Sequence, residues 1–414
     1  MGARETPESV YAPRRGAATR QPPRRAARHG PGPGPRRDPG ADADPAAQTK
    51  RALGQYFTTA NPFEHPAFAR WAREIPAGAS VAEPFAGSGN LIAMARAVGL
   101  ANPWVACDIA PVDPGASAAP DVPVARRDTL ADFPAGHAAA ITNPPYLAKN
   151  SASRRKLPYG GGDYDDVYKR ALAVMLAGCE RVAAIVPESF LTAGLFHDRL
   201  DAVVSLPQPM FDDTETPACL ALFGPRRGPI AGAAAGPGAP GAAGSAAPGD
   251  FEVWSGPRLV GGFGALRATL ETPAARWPWR FNDPAGVIAL HAADTGRGAD
   301  IGFALAPEAP SPEIKVSSRT HTRIGVPLLG REEAAEVAAE ANRLLASRRE
   351  QTSDVFMTAH FGLRADGRFR RRLDFGQARD LLDLARAAVA QRRKGGGGES
   401  ARRPAPDDLA GGGA

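Results

Sequence analysis

Val81-Ala82-Glu83-Pro84-Phe85-Ala86-Gly87-Ser88-Gly89-Asn90 runs from a short apolar strand through a glycine turn into a helical pattern, Asn90–Val98. Glycine accepts positive φ and lets a ligand approach the backbone closely. A helix starting just after such a turn offers unpaired N–H groups to a carboxylate or phosphate. The same grammar repeats down the chain. Strand patterns at Trp104–Ile109, Val122–Arg126, Ala138–Thr142, Val182–Val186, Ala202–Leu206 and Ala218–Phe223 alternate with helical stretches, among them Tyr164–Leu176 with Asp163 as its N-cap. This alternation predicts an α/β fold, a mainly parallel sheet with helices on both faces. Ligands in such sheets sit beyond the carboxyl ends of the strands. Glu83, Asp108, Asp128 and Asn143 all stand at such ends.

The chain has 414 residues, 43% of them hydrophobic, enough for a large core and for two folded parts. With 46 Gly and 41 Pro, some of it must be low-complexity. Residues 1–48 carry nine Arg against five acids and read as a disordered basic tail. Residues 49–224 hold the strand–helix pattern, and 225–250 form an Ala/Gly/Pro linker. Residues 251–394 predict a second, mixed α+β part. It opens on a hairpin, Phe251–Trp254 and Leu259–Val260, and contains helices Glu332–Arg348 and Gln377–Arg392. Residues 395–414 read as a disordered tail. The net charge of +6 permits a polyanionic partner without requiring one. Cys107, Cys179 and Cys219 are odd in number and far apart, which predicts buried thiols of a cytoplasmic protein and neither a disulfide nor a metal site. No apolar run approaches the ~18 residues of a membrane span, so no membrane association is expected.

Two turns carry chemistry. In the first, the glycines follow Glu83, and a second acid, Asp108, ends the next strand about twenty residues later, where a ribose diol would be gripped. Asp128, at the end of the third strand, fits an exocyclic amine or a simple helix cap equally well. The second turn is Asn143-Pro144-Pro145-Tyr146. Asn143 and Pro144 each precede a proline and are held extended. The turn therefore fixes a side-chain amide oxygen, a carbonyl and an aromatic ring in one place. That set suits a planar base with an exocyclic amine, stacked on Tyr146 for ~1–3 kcal/mol. Just beyond it, Lys149-Asn150-Ser151-Ala152-Ser153-Arg154-Arg155-Lys156 reads as a cationic loop fitted for phosphates. Pro187-Glu188-Ser189-Phe190 reads as pocket wall or plain turn. Lys315–Arg323, with Arg319 and Arg323, mixes cations and hydroxyls suited to base edges or phosphate, and Arg368, Arg370, Arg371 and Arg372 add charge.

In their order along the chain, Gly54-Gln55-Tyr56-Phe57-Thr58, Pro84–Gly89, Asn143–Tyr146 and the segment 251–392 resemble the gamma-type N6-adenine DNA methyltransferases of the Asn-Pro-Pro-Tyr family. The resemblance is good over residues 50–224 and thins beyond the linker. It implies a Rossmann-like class I methyltransferase sheet followed by a target-recognition domain, with S-adenosyl-L-methionine as cofactor and no metal. Tyr56, Phe57 and Thr58 would close over the methionine end of the cofactor. Glu83, Phe85, Gly87 and Gly89 would line that end. Asp108 would bind the ribose hydroxyls, Ile109 would lie on the adenine, and Asp128 would take its amine. Asn143, Pro144 and Tyr146 would be catalytic. Pro145, Lys149, Arg154, Arg155, Arg319 and Arg323 would bind double-stranded DNA, from which the target adenine must be flipped. The resemblance also implies a monomer in a bacterial or phage-infected cytoplasm and leaves room for a cognate restriction endonuclease. Three other readings stay open: an RNA adenine-N6 methyltransferase, a protein-glutamine methyltransferase, and a non-catalytic nucleic-acid-binding protein on the same fold. RNA enzymes of this kind usually have Leu or Ile where Pro144 stands. The glutamine enzymes place a helical domain before the cofactor loop, where this chain has its tail.

Overall fold

The computed structural model describes residues 61–206, 217–225 and 250–399. The Gly54–Thr58 segment, with Tyr56, Phe57 and Thr58, lies outside them, as do the predicted N-terminal tail and nearly all of the linker. The described residues fall in one compact unit.

Nine strands form one sheet. They are β1 (Val81–Glu83), β2 (Trp104–Asp108), β3 (Val124–Arg126), β4 (Ala139–Thr142), β5 (Arg181–Pro187), β6 (Leu200–Ser205), β7 (Ala218–Phe223), β8 (Glu252–Ser255) and β9 (Arg258–Gly262). Their order is β3-β2-β1-β4-β5-β7-β6-β8-β9. β7 and β9 run against the others. This is the mainly parallel, Rossmann-like α/β sheet expected from the sequence. The central strands are apolar along their length because both faces are covered, and Ala139–Ile141 and Val182–Val186 are wholly buried. Helices Pro66–Arg73 and Val167–Gly178 supply Phe68, Trp71, Leu172 and Met175 to the main core. The order reverses between β1 and β4, so the ligand crevice belongs at the carboxyl ends of these two strands.

Three local expectations are corrected. The hairpin β8–β9, read from sequence as the start of the C-terminal part, belongs to the large sheet. β8 pairs in parallel with β6, from Ala202↔Glu252 to Ser205↔Ser255, and covers a ladder edge that would otherwise be bare. The helix expected from Tyr164 begins at Val167. Asp166 is held extended before it, because its carboxylate accepts the Leu147 N–H at 3.0 Å. The cationic run expected as a loop is a helix, Lys149–Arg155, closed by Lys156 at φ +55°. It forms because Ala152 is anchored in a small cluster with Leu147 and Val167.

The C-terminal part contains an antiparallel sheet, β10 (Arg280–Phe281), β13 (His321–Gly325), β11 (Ile288–His291) and β12 (Gly302–Leu305), in the order β10-β13-β11-β12. Helices Arg331–Thr352 and Phe375–Glu399 share a second core with it. A two-stranded ribbon, β14 (Thr358–Leu363) and β15 (Phe369–Arg372), completes it. The two cores meet at Val355-Phe356-Met357, where Val355 belongs to the first and Met357 to the second. A buried ion pair also joins them. Arg371 donates to both oxygens of Glu188, at 2.8 and 3.0 Å, and Ser205 donates to the same carboxylate at 2.6 Å.

Candidate active site

The glycine turn is built as its sequence demands. Gly87 and Gly89 sit at φ +50° and +75°, in the left-handed region where a side chain costs about 1–2 kcal/mol. A Cβ on Gly89 would also meet the Ser117 hydroxyl oxygen at 3.0 Å. Asp108 staples the turn to β2. One carboxylate oxygen accepts the Gly87 N–H and the other the Ala110 N–H, each at 2.8 Å. Helix Asn90–Ala97 starts directly from Gly89 without a side-chain cap.

Glu83 is 1% exposed. The Thr142 hydroxyl donates to its Oε1 at 2.5 Å, whereas Oε2 is buried and has no hydrogen-bond partner. Burial pushes the Glu83 carboxyl up to about 8, opposed by hydrogen bonding from the Thr142 hydroxyl and the Phe85 backbone N–H and reinforced by the negative charge of Asp108. A carboxyl so placed can ionise once a cationic donor reaches it. Thr142 ends β4 and immediately precedes Asn143, so this one hydrogen bond ties the glycine turn to the Asn-Pro-Pro-Tyr turn.

Asn143 is half-buried and Pro144 buried. The Tyr146 hydroxyl lies 2.7 Å from both Asn143 Oδ1 and the Ile185 carbonyl oxygen. It has a single proton for these two acceptors. The Tyr146 ring is only 9% exposed and meets Tyr168 edge to face at 6.1 Å. Tyr146 thus packs into the core and positions Asn143; stacking on a base would require this ring to bare a face.

Other expected residues are placed as follows. Ile109 is 48% exposed at the end of β2, as a surface for an apolar ring would be. Phe85 is half-buried against the main core. Asp128 is exposed and caps a turn, with Oδ1 accepting the Leu130 N–H at 3.1 Å. Its neighbour Thr129, which the sequence did not single out, is buried and donates to the Pro84 carbonyl at 2.8 Å, holding the end of β3 against the glycine turn. Lys149, Arg154 and Arg155 are exposed beside the Asn-Pro-Pro-Tyr turn, and Arg154, Arg155 and Lys156 make no ion pair among the described residues. Arg319 is exposed over the Phe375 ring at 6.0 Å. Arg323 departs from expectation. It is 4% exposed, and its guanidinium donates to the carbonyls of Gly286, Ala309 and Pro307 at 2.8, 2.7 and 2.6 Å. It closes loops of the C-terminal part, and its burial keeps it from a solvent-side ligand. Arg371, in the Arg-rich run, is likewise spent on Glu188.

No protein-family model matches the chain, and no curated protein does. Among solved structures it is similar to a type I restriction-modification methyltransferase subunit from Streptococcus thermophilus, at 16% identity over 44% of this chain and 48% of that one, TM-score 0.31. A putative class I S-adenosylmethionine-dependent methyltransferase from Listeria monocytogenes matches at 10% identity, over 46% and 63%, TM-score 0.32. A putative RNA methyltransferase from Pyrococcus horikoshii matches at 19%, over 42% and 89%, TM-score 0.29. The chain spans less than two thirds of the first two of these structures. Likenesses this distant say nothing of chemistry, which the residues themselves must supply.

Proposed function

We propose that this chain is an S-adenosyl-L-methionine-dependent methyltransferase that acts on N6 of an adenine turned out of double-stranded DNA. The observation that carries the reading is the Glu83–Thr142 hydrogen bond at the point where strand order reverses. It brings a nucleoside-type glycine turn and an amine-accepting amide to one edge of the sheet. The residues present fit the cofactor. The unpartnered Glu83 Oε2 suits an ammonium group, Gly87 and Gly89 allow the sharp turn at positive φ, Asp108 at the end of β2 would face the ribose, and Ile109 offers an apolar face. When bound, S-adenosyl-L-methionine supplies an electrophilic methyl carbon on a sulfonium sulfur.

This chain's own residues prepare the acceptor. The adenine amine is a poor nucleophile because its lone pair is delocalised into the ring. Asn143 Oδ1 and the Pro144 carbonyl accept the two N–H groups of that amine, favour a tetrahedral nitrogen and localise the pair. They also stabilise the positive charge that develops on the nitrogen, an electrostatic contribution that costs little reorganisation because two prolines and Tyr146 fix the two acceptors in advance. The surplus proton can leave to water afterwards, so no strong base is required. Exposed cations on helix Lys149–Arg155 would bind phosphates, and the C-terminal part, with Arg319 but without Arg323, would hold the duplex as a target-recognition domain.

Expression in a host that lacks adenine methylation, followed by nucleoside analysis and methylome sequencing, tests this. N6-methyladenine confined to one DNA motif is expected. Unmodified DNA together with methylated RNA or methylated protein glutamine would replace this reading with one of its rivals.

A further inference from the structure

Beyond the end of β5, a hollow of about 500 Å3 opens between the large sheet and the C-terminal part. That is within the roughly 300–1,000 Å3 of ligand pockets. One wall is Pro187, Ser189 and Thr192; the other is Phe356, Thr358 and Phe361. It opens at the end of the strand that the Asn-Pro-Pro-Tyr turn packs on. Ile185, whose carbonyl faces the Tyr146 hydroxyl, is two residues before Pro187, about 7 Å along a strand. Tyr168, packed on Tyr146, is hydrogen-bonded to Ser189.

Two features give the hollow a chemistry. Phe361 is 59% exposed. The β14–β15 register breaks between His360 and Leu363, and Gly362 there takes φ +85°. A bulge of this kind re-aims a side chain and is typical beside active sites; here it presents the ring at the hollow. The charges lining the hollow are unequal. Glu188 is neutralised by Arg371, and Asp374 accepts the Gln377 N–H as a helix cap. Arg267 is exposed and makes no ion pair among the described residues. A bare aromatic face and an unpaired guanidinium are the two contacts that a single nucleotide uses.

Building on the methyltransferase reading, we propose that this hollow receives the nucleotide flanking the target adenine on the same strand, its base stacked on Phe361 and its phosphate at Arg267. The full-length protein tests this in a double-mutant cycle, with duplex oligonucleotides carrying the motif found by sequencing. Each flanking base is replaced in turn by an abasic site, and kcat/KM is measured for the wild type, Phe361→Ala and Phe361→Trp. Removal of one flanking base is expected to cost the wild type on the order of tenfold. Phe361→Ala is expected to lose as much on intact DNA, to lose little more on the abasic duplex, and to be rescued by Trp. Arg267→Gln is expected to lower the salt slope of binding by about one. Additive losses, or full activity of Phe361→Ala on intact DNA, would overturn the subsite while leaving the methyltransferase reading standing. A wild type that transfers no methyl to any DNA would remove both.

Discussion

Glu83 is a buried acid with one oxygen on Thr142 and the other without a partner, so its protonation is coupled to whatever binds there. In the free site burial holds the carboxyl near 8 and it is largely neutral at pH 7. A ligand ammonium group favours the charged form. Cofactor binding at pH 7 is therefore expected to release a proton, and affinity to rise from pH 6 and level off above 8. Glu83→Gln should remove both effects. Calorimetry in two buffers of different ionisation heat reads the proton directly, and a buffer-independent heat for the wild type would contradict the assignment. The same shift affects stability. The folded value lies above the unfolded one, so below about 4.5 Glu83 is protonated in both states and costs nothing through ionisation. Its penalty grows as pH rises from there toward 8. At this scale the sequence made legible which polar groups stand at strand ends: Glu83, Asp108 and Asn143. It was not readable for Thr142 or Thr129, because a lone hydroxyl at the end of a short apolar strand or in a turn has no pattern of its own. Arg323 misled because a cation among hydroxyls looks like surface, and only the fold reveals three carbonyls in need of a donor.

Helix Lys149–Arg155 exposes its cations next to the Asn-Pro-Pro-Tyr turn and buries Ala152. Cations that touch phosphates release counterions, each changing the slope of log affinity against log salt by about 0.9. The double variant Arg154→Ala/Arg155→Ala should weaken duplex binding, reduce that slope by nearly two, and leave cofactor affinity unaltered. An unchanged slope in a salt titration would take this helix off the DNA path. The charge run was plain in the sequence. Its helical form was not, since seven residues scarcely complete two turns and show no period. The β8–β9 hairpin shows the same limit. Its alternation predicts two paired strands, but its attachment to β6 depends on a partner fifty residues earlier, and no local pattern reports that.

Across the whole molecule, the large sheet and the C-terminal part are joined by Glu188 and Arg371, with Asp294 bound to Arg349 and Arg364 behind them. Breaking one side of a buried pair leaves an uncompensated charge and costs about 3–5 kcal/mol. Arg371→Met should lose stability of that order in denaturant titration, and Glu188→Leu on the same background should restore much of it; a loss under 1 kcal/mol for the single change would mean that the pair does not hold the two parts together. A fragment ending near Gly224 would strip β8 from β6 and leave Glu188 unpaired, so the parts are better separated functionally than by truncation. In the proposed function one edge of the sheet divides its labour, Glu83 and Asp108 for the cofactor and Asn143 for the target amine. Measuring cofactor affinity and methyl transfer side by side in Asn143→Ala tests that division. The prediction is an affinity within about twofold of wild type and transfer lowered by on the order of a hundredfold or more. Affinity and transfer falling together, or transfer persisting at the wild-type rate, would contradict it.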